Sequence, residues 1–165
     1  MARLVLVGLP GVGKSTVARD VAGRWGCAAL DTDSLVAREV GRPAGAYLRQ
    51  AGEELFRRRE LAALVRALTL DAVVSTGGGV VTTQAGRDAL RGQPVIWLDG
   101  ADEVIVARLD DEERPLLGAN PGAALADLRR AREGWYREVA IARVDVAGAP
   151  EEVARRVIDA VEVSA

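Results

Sequence analysis

Short apolar runs recur along the chain at Leu4–Val7, Cys27–Leu30, Ala72–Ser75, Val95–Leu98 and Val144–Val146. Runs of this length, bounded by glycine or polar residues, predict buried strands. Between them the apolar spacing changes to the helical period. The clearest helix is Glu53 to Leu70, where Leu61, Leu64, Val65 and Leu68 stand at i, i+3, i+4 and i+7. Another begins at Ser15, with Val17 and Val21 four apart. The last opens with Pro150-Glu151-Glu152, a proline and two acids in a first turn that favours both. Its inward stripe is Val153, Val157 and Val161. Strands alternating with helices predict an α/β fold, a parallel sheet covered on both faces. At 165 residues the expectation is one domain, 1–165.

One stretch fits neither period. Asp110 to Gly122 holds two prolines, two glycines and a run of charges around Arg114. A loop this long in a compact domain is a lid or a solvated charge run, and an arginine in its middle favours a lid that covers phosphate.

Composition narrows the chemistry. Apolar content of 49%, charged content of 28% and a net charge of −2 describe an ordinary globule with no basic stripe, which excludes nucleic acid as the main partner. No apolar run is long enough to span a membrane, and the first strand begins at once, with no leader expected before it. The single Cys27 forbids an internal disulfide and fits a cytoplasmic setting; its expected place is inside the second strand as a buried thiol. The chain has no histidine. Acid–base work therefore falls to carboxylates, zinc is excluded, and any metal is a hard ion held by oxygen, which points to Mg²⁺.

Residues 8–15 read Gly-Leu-Pro-Gly-Val-Gly-Lys-Ser, a complete G-x-x-x-x-G-K-[ST] phosphate loop between the first strand and the first helix. Lys14 is the only lysine, against 21 arginines. A compact ammonium stands once in the chain, where a narrow loop must set it against the β- and γ-phosphates of a nucleotide. Backbone N–H groups of Gly11, Val12, Gly13, Lys14, Ser15 and Thr16 would supply the rest of the anion site, so the chain is expected to bind a nucleoside triphosphate.

Ligands of open parallel sheets sit at the carboxyl ends of the strands. After the second strand comes Asp31-Thr32-Asp33, two carboxylates expected to project the same way. One suits Mg²⁺ and the other a substrate hydroxyl, while Asp33 or Ser34 is equally suited to cap a helix from Leu35. After the third strand comes Gly77-Gly78-Gly79, costly in chain entropy and suited to a ligand approaching the backbone. After the fourth comes Asp99, a weaker metal candidate than Asp31 and an alternative cap beside Gly100. Glu53, Arg57 and Glu60 share one stripe of their helix. From spacing alone that stripe, like Arg132, fits either solvent or a cleft.

Together these motifs resemble the shikimate kinase family over nearly the whole chain. They are Gly8–Ser15, Asp31-Thr32-Asp33, Gly52-Glu53-Glu54-Leu55-Phe56-Arg57-Arg58-Arg59-Glu60, Gly77-Gly78-Gly79, Arg114-Pro115-Leu116-Leu117, and Arg132 with Tyr136-Arg137. The phosphate loop is common to many families; the ordered remainder is specific to this one. The resemblance implies a nucleoside-monophosphate-kinase-like, three-layer α/β/α fold with a five-stranded parallel sheet and a mobile lid. It implies transfer of the ATP γ-phosphoryl group to the 3-hydroxyl of shikimate, with Mg²⁺ beside Ser15 and Asp31. It places Asp33, Arg57, Gly78, Gly79 and Arg132 on shikimate and gives Glu60 the task of orienting Arg57. Lys14 and Arg114 would neutralise charge at the phosphates, and Arg108 and Pro150 would border the adenine. The segment Ala147-Gly148-Ala149-Pro150 departs from the family in lacking a basic residue often found there. Among rivals, a guanine-specific switch needs an Asn-Lys-x-Asp motif, impossible when Lys14 is the sole lysine. A gluconate kinase is opposed by the triple glycine and the Phe-Arg-x-x-Glu motif. No exposed apolar stripe forces association, so a monomer is expected.

Overall fold

The computed structural model describes residues 1–109 and 117–164. Its sheet has five parallel strands, β1 (Leu4–Val7), β2 (Ala28–Asp31), β3 (Ala72–Ser75), β4 (Val95–Asp99) and β5 (Ala142–Asp145), in spatial order β2-β3-β1-β4-β5. The three inner strands are buried at every residue, as continuous Val/Ile/Leu runs covered on both faces should be. One helical layer pairs α1 (Lys14–Trp25) with α8 (Pro150–Ser164). The other sets α4 (Glu53–Leu68), α5 (Gln84–Leu90) and α7 (Pro121–Val139) against the sheet.

The edges depart from the sequence expectation. β5 begins at Ala142 and ends at Asp145, not Val144–Val146, because an edge strand alternates: Arg143 and Asp145 are exposed around buried Val144. β2 likewise starts at Ala28, leaving Cys27 outside the strand and half-buried rather than buried. α7 begins at Pro121, inside the stretch expected as a lid. Asn120 caps it by accepting from the Ala123 N–H at 3.1 Å, and proline suits the first helical position. Residues 110–116 of that stretch lie outside the described residues.

The inward face of α4 is also rotated from the expected one. Phe56, Glu60, Ala63, Leu64, Ala67 and Leu68 are buried, whereas Val65 is 49% exposed. Two alanines let this helix approach closely on their side, and that choice carries Glu60 inward. A small second core of Val36, Phe56 and Ala63 then locks α4 to α2 (Thr32–Val40), with α3 (Ala44–Ala51) packed alongside. This packing fixes the helices that bear Asp33, Arg57 and Glu60.

Strand order determines where a ligand can sit. From β1 the chain crosses to β2 on one side, and from neighbouring β3 it crosses to β4 on the other. A crevice opens where neighbouring connections diverge in this way. The loops leaving β1 and β3 are Gly8–Ser15 and Thr76–Gly79.

Candidate active site

The phosphate loop wraps the start of α1. Gly8 has φ of 151°, and a Cβ there would strike the Leu98 carbonyl, so only glycine fits. No side chain caps α1 and its first turn holds no acid, which leaves its N-terminal N–H groups for an anion. Lys14 is 9% exposed, and its Nζ donates to the Gly8 and Leu9 carbonyls at 2.9 Å each. Gly11, Val12, Gly13, Lys14, Ser15 and Thr16 line a cleft of about 600 Å³. Arg108, Pro150 and Val153 line it too, with Arg108 donating to the Gly148 carbonyl at 2.9 Å. Asp31, Asp33, Thr76 and Gly78 complete its other side. The sequence-selected nucleotide residues are thus brought together, except Arg114, which falls outside the described residues.

Asp31 and Asp33 both line this cleft but do different work. Asp31 ends the strand and caps α2, accepting from the Ser34 N–H at 2.9 Å, while its other oxygen accepts from Ser15 Oγ at 2.5 Å. The cap is therefore Asp31, not Asp33 or Ser34, and α2 starts at Thr32 instead of Leu35. Ser75 Oγ lies 3.2 Å from Ser15 Oγ. A hydroxyl and a carboxylate at the base of a phosphate loop fit Mg²⁺ held mainly by phosphate and water. Among the described residues no cluster of three or more His, Cys, Asp or Glu forms a self-sufficient metal cage. Asp99, by contrast, is consumed by ion pairs, with Arg129 on one oxygen and Arg143 at 2.9 Å on the other. It caps nothing, since Ala101 precedes α6 (Asp102–Arg108). A second cleft of about 560 Å³ beside this pair holds Asp99 alone among the candidate metal and substrate residues.

Asp33, one residue into α2, faces the glycine loop instead. Burial chiefly, aided by Asp31 and Glu60, outweighs Lys14 and Arg57 and pushes its carboxyl up to about 6. A Cβ on Gly77 would meet Glu60 Oε1 at 2.5 Å and Asp33 Oδ1 at 2.8 Å, and one on Gly79 would strike the Arg57 guanidinium. The glycines thus let three charged groups close over the backbone, while on the other side Gly78 touches Pro10 and Gly8 of the phosphate loop. Arg57 donates to Glu60 Oε2 at 2.8 Å, lies over the Phe56 ring and approaches Glu53 at 3.5 Å. Its buried Nε and Glu60 Oε1 have no protein partner, and burial raises the Glu60 carboxyl against the pull of Arg57. Arg132, half-buried on α7, acts electrostatically on Glu60 and Tyr136.

Sequence reasoning assigned no role to three residues here. Thr32 is fully buried and accepts from the Gly77 N–H at 3.0 Å; Ser75 adjoins Ser15; and Tyr136 donates its hydroxyl to the Gly78 carbonyl. A hydroxyl residue between two acids was a visible signal for Thr32. Tyr136 had none beyond its motif.

The arrangement has counterparts among known proteins. The family model for shikimate kinase matches residues 10–162. A shikimate kinase of Corynebacterium glutamicum is 37% identical over 97% of this chain and 96% of its own. One of Streptomyces avermitilis is 42% identical over 97% and 95%. The solved shikimate kinase from Acinetobacter baumannii in complex with shikimate superposes with a TM-score of 0.90 at 33% identity, covering 97% of this chain and 92% of its own.

Proposed function

The chain belongs to the shikimate kinase family, and on that premise we propose how its residues divide the transfer of the ATP γ-phosphoryl group to the 3-hydroxyl of shikimate, giving shikimate 3-phosphate and ADP. One observation carries the assignment. The Gly77–Gly79 loop touches the phosphate loop on one side and Asp33, Glu60 and Arg57 on the other, so donor and acceptor sites share a wall.

ATP lies along Gly11–Thr16 with its adenine between Arg108 and Pro150. Arg57 and Arg132 take the shikimate carboxylate through charged, forked hydrogen bonds, and Glu60 holds Arg57 in place from below. Gly78 and Gly79 offer backbone to the ring. Asp33 accepts the proton of the attacking hydroxyl. Phosphoryl transfer passes through a loose transition state, so orientation and charge neutralisation matter more than base strength. Lys14 and Arg114 meet charge moving onto the β/γ-bridging oxygen. Ser15 and Asp31 would hold Mg²⁺, which supplies further positive charge at the phosphates when bound. The working unit is the whole chain, 1–165, acting as a monomer in the cytoplasm. Among the described residues no helix is long and apolar enough to cross a membrane.

Titration calorimetry tests the acceptor half directly. In the presence of Mg²⁺-ADP, shikimate should bind one to one, and Arg57→Ala should weaken it at least about tenfold, the loss of one charged hydrogen-bond pair. Equal affinity in the variant would remove Arg57 from the site.

A further inference from the structure

The Tyr136 hydroxyl is buried in the main core, and phosphoryl transfer gives it no chemical task. Its ring is 1% exposed and stacks on Trp97, with centroids 5.9 Å apart and planes 26° from parallel. Burial, above all, pushes its ionisation up to about 12, so it stays a neutral donor at working pH. It donates to the Gly78 carbonyl across 58 residues of sequence. Arg132, one turn earlier on α7, pulls that ionisation the opposite way, but burial outweighs it.

Gly78 C=O and Gly79 N–H belong to one planar trans peptide, so they point in opposite directions. Holding the carbonyl on Tyr136 therefore aims the Gly79 N–H away from α7. Gly79 is buried, and among the described residues neither its N–H nor that of Gly78 donates to a protein acceptor. A buried, unpaired backbone donor is uncommon, and at a site it marks a place for a ligand acceptor. We propose that Tyr136 is a positioning residue: its hydroxyl fixes the Gly78–Gly79 peptide so that the Gly79 N–H is presented to the acceptor substrate. The inference rests on the acceptor reading above. Gly78 also bears on Pro10, so the same hydroxyl sets the acceptor loop against the phosphate loop.

The test is Tyr136→Phe, which keeps the stacked ring and removes the hydroxyl alone. The wild type turning over shikimate establishes the acceptor reading; its failure to do so would count against that reading, not this one. Given turnover, the variant should show a shikimate KM raised about tenfold, the scale of one oriented buried hydrogen bond, while the ATP KM stays within about twofold. Val139→Ala, one turn further along α7 and also buried, serves as a control for lost packing. It should lower the thermal midpoint and leave both KM values unchanged. An unaltered shikimate KM in Tyr136→Phe, equal rises in both KM values, or the same kinetic change in Val139→Ala would overturn the proposal. If Tyr136→Phe does not fold, the wild type gives the second reading. Saturating shikimate should slow exchange of the Gly79 amide and Mg²⁺-ADP alone should not; an exchange rate unchanged by shikimate contradicts the assignment.

Discussion

Asp33 sits where three carboxylates converge, and its environment has opposite consequences for stability and for catalysis. Its carboxyl titrates near 3.8 when unconstrained and about 6 in the fold, chiefly through burial. The unfolded chain therefore releases that proton at lower pH. The stabilising contribution of the protonated form is complete below about 3.8 and is lost as pH rises through 6. Catalysis needs the other form, because only the carboxylate accepts the hydroxyl proton. For shikimate kcat/KM should fall roughly tenfold per unit below pH 6, one group titrating in the free enzyme. Asp33→Asn should keep ATP affinity, lose on the order of 10²-fold or more in turnover, and melt higher than wild type at pH 8 but not at pH 4. A variant with wild-type turnover, or a flat pH profile, would take the proton-accepting task away from this residue. The sequence displayed Asp33 beside Asp31 but not their division of work. That division follows from where β2 ends, at Asp31, which caps α2 while Asp33 lies on the helix against the glycine loop.

At the scale of elements, helix ends and packing faces decided what sequence patterns left open. The phosphate loop was legible because strand, glycines, lysine and helix must follow in fixed register. The α4 stripe was not, because two alanines pack as well as leucines and rotate the face by a residue. That rotation makes Glu60 a buried partner for Arg57 instead of one member of a solvated row. Asp99 shows the same limit from the other side. An acid at the end of an apolar strand resembles a metal ligand until α7 and β5 supply Arg129 and Arg143. Replacing each acid separates these tasks. Asp31→Asn should raise the Mg²⁺ concentration needed for half-maximal turnover with little loss of stability. Asp99→Asn should leave that concentration unchanged and cost about 3 kcal/mol, the low end for breaking a buried ion pair, since Arg143 keeps a solvent-facing side. Melting curves and Mg²⁺ titrations on both variants check this, and the reverse pattern would place the metal on β4.

Over the whole molecule, the site exists because the chain leaves β1 and β3 in opposite directions. Strand alternation was enough to foresee a parallel α/β sheet, and five apolar runs located all five strands. Their spatial order, and so the meeting of the phosphate loop with Gly77–Gly79, was implied only through the family resemblance. The edge strands were misplaced by one or two residues because half their positions face water. Family membership rests on a family model over residues 10–162 and on relatives aligned over 97% of the chain. The central claim is that the shared glycine wall joins an ATP site to a shikimate site. Its most direct test is ADP release from Mg²⁺-ATP with shikimate, with gluconate and with no acceptor. The account predicts ADP in equal amount to shikimate consumed, and only background release in the other two. Release with gluconate, or with no acceptor at all, would leave the nucleotide site intact and contradict the assignment of Asp33, Arg57 and Arg132.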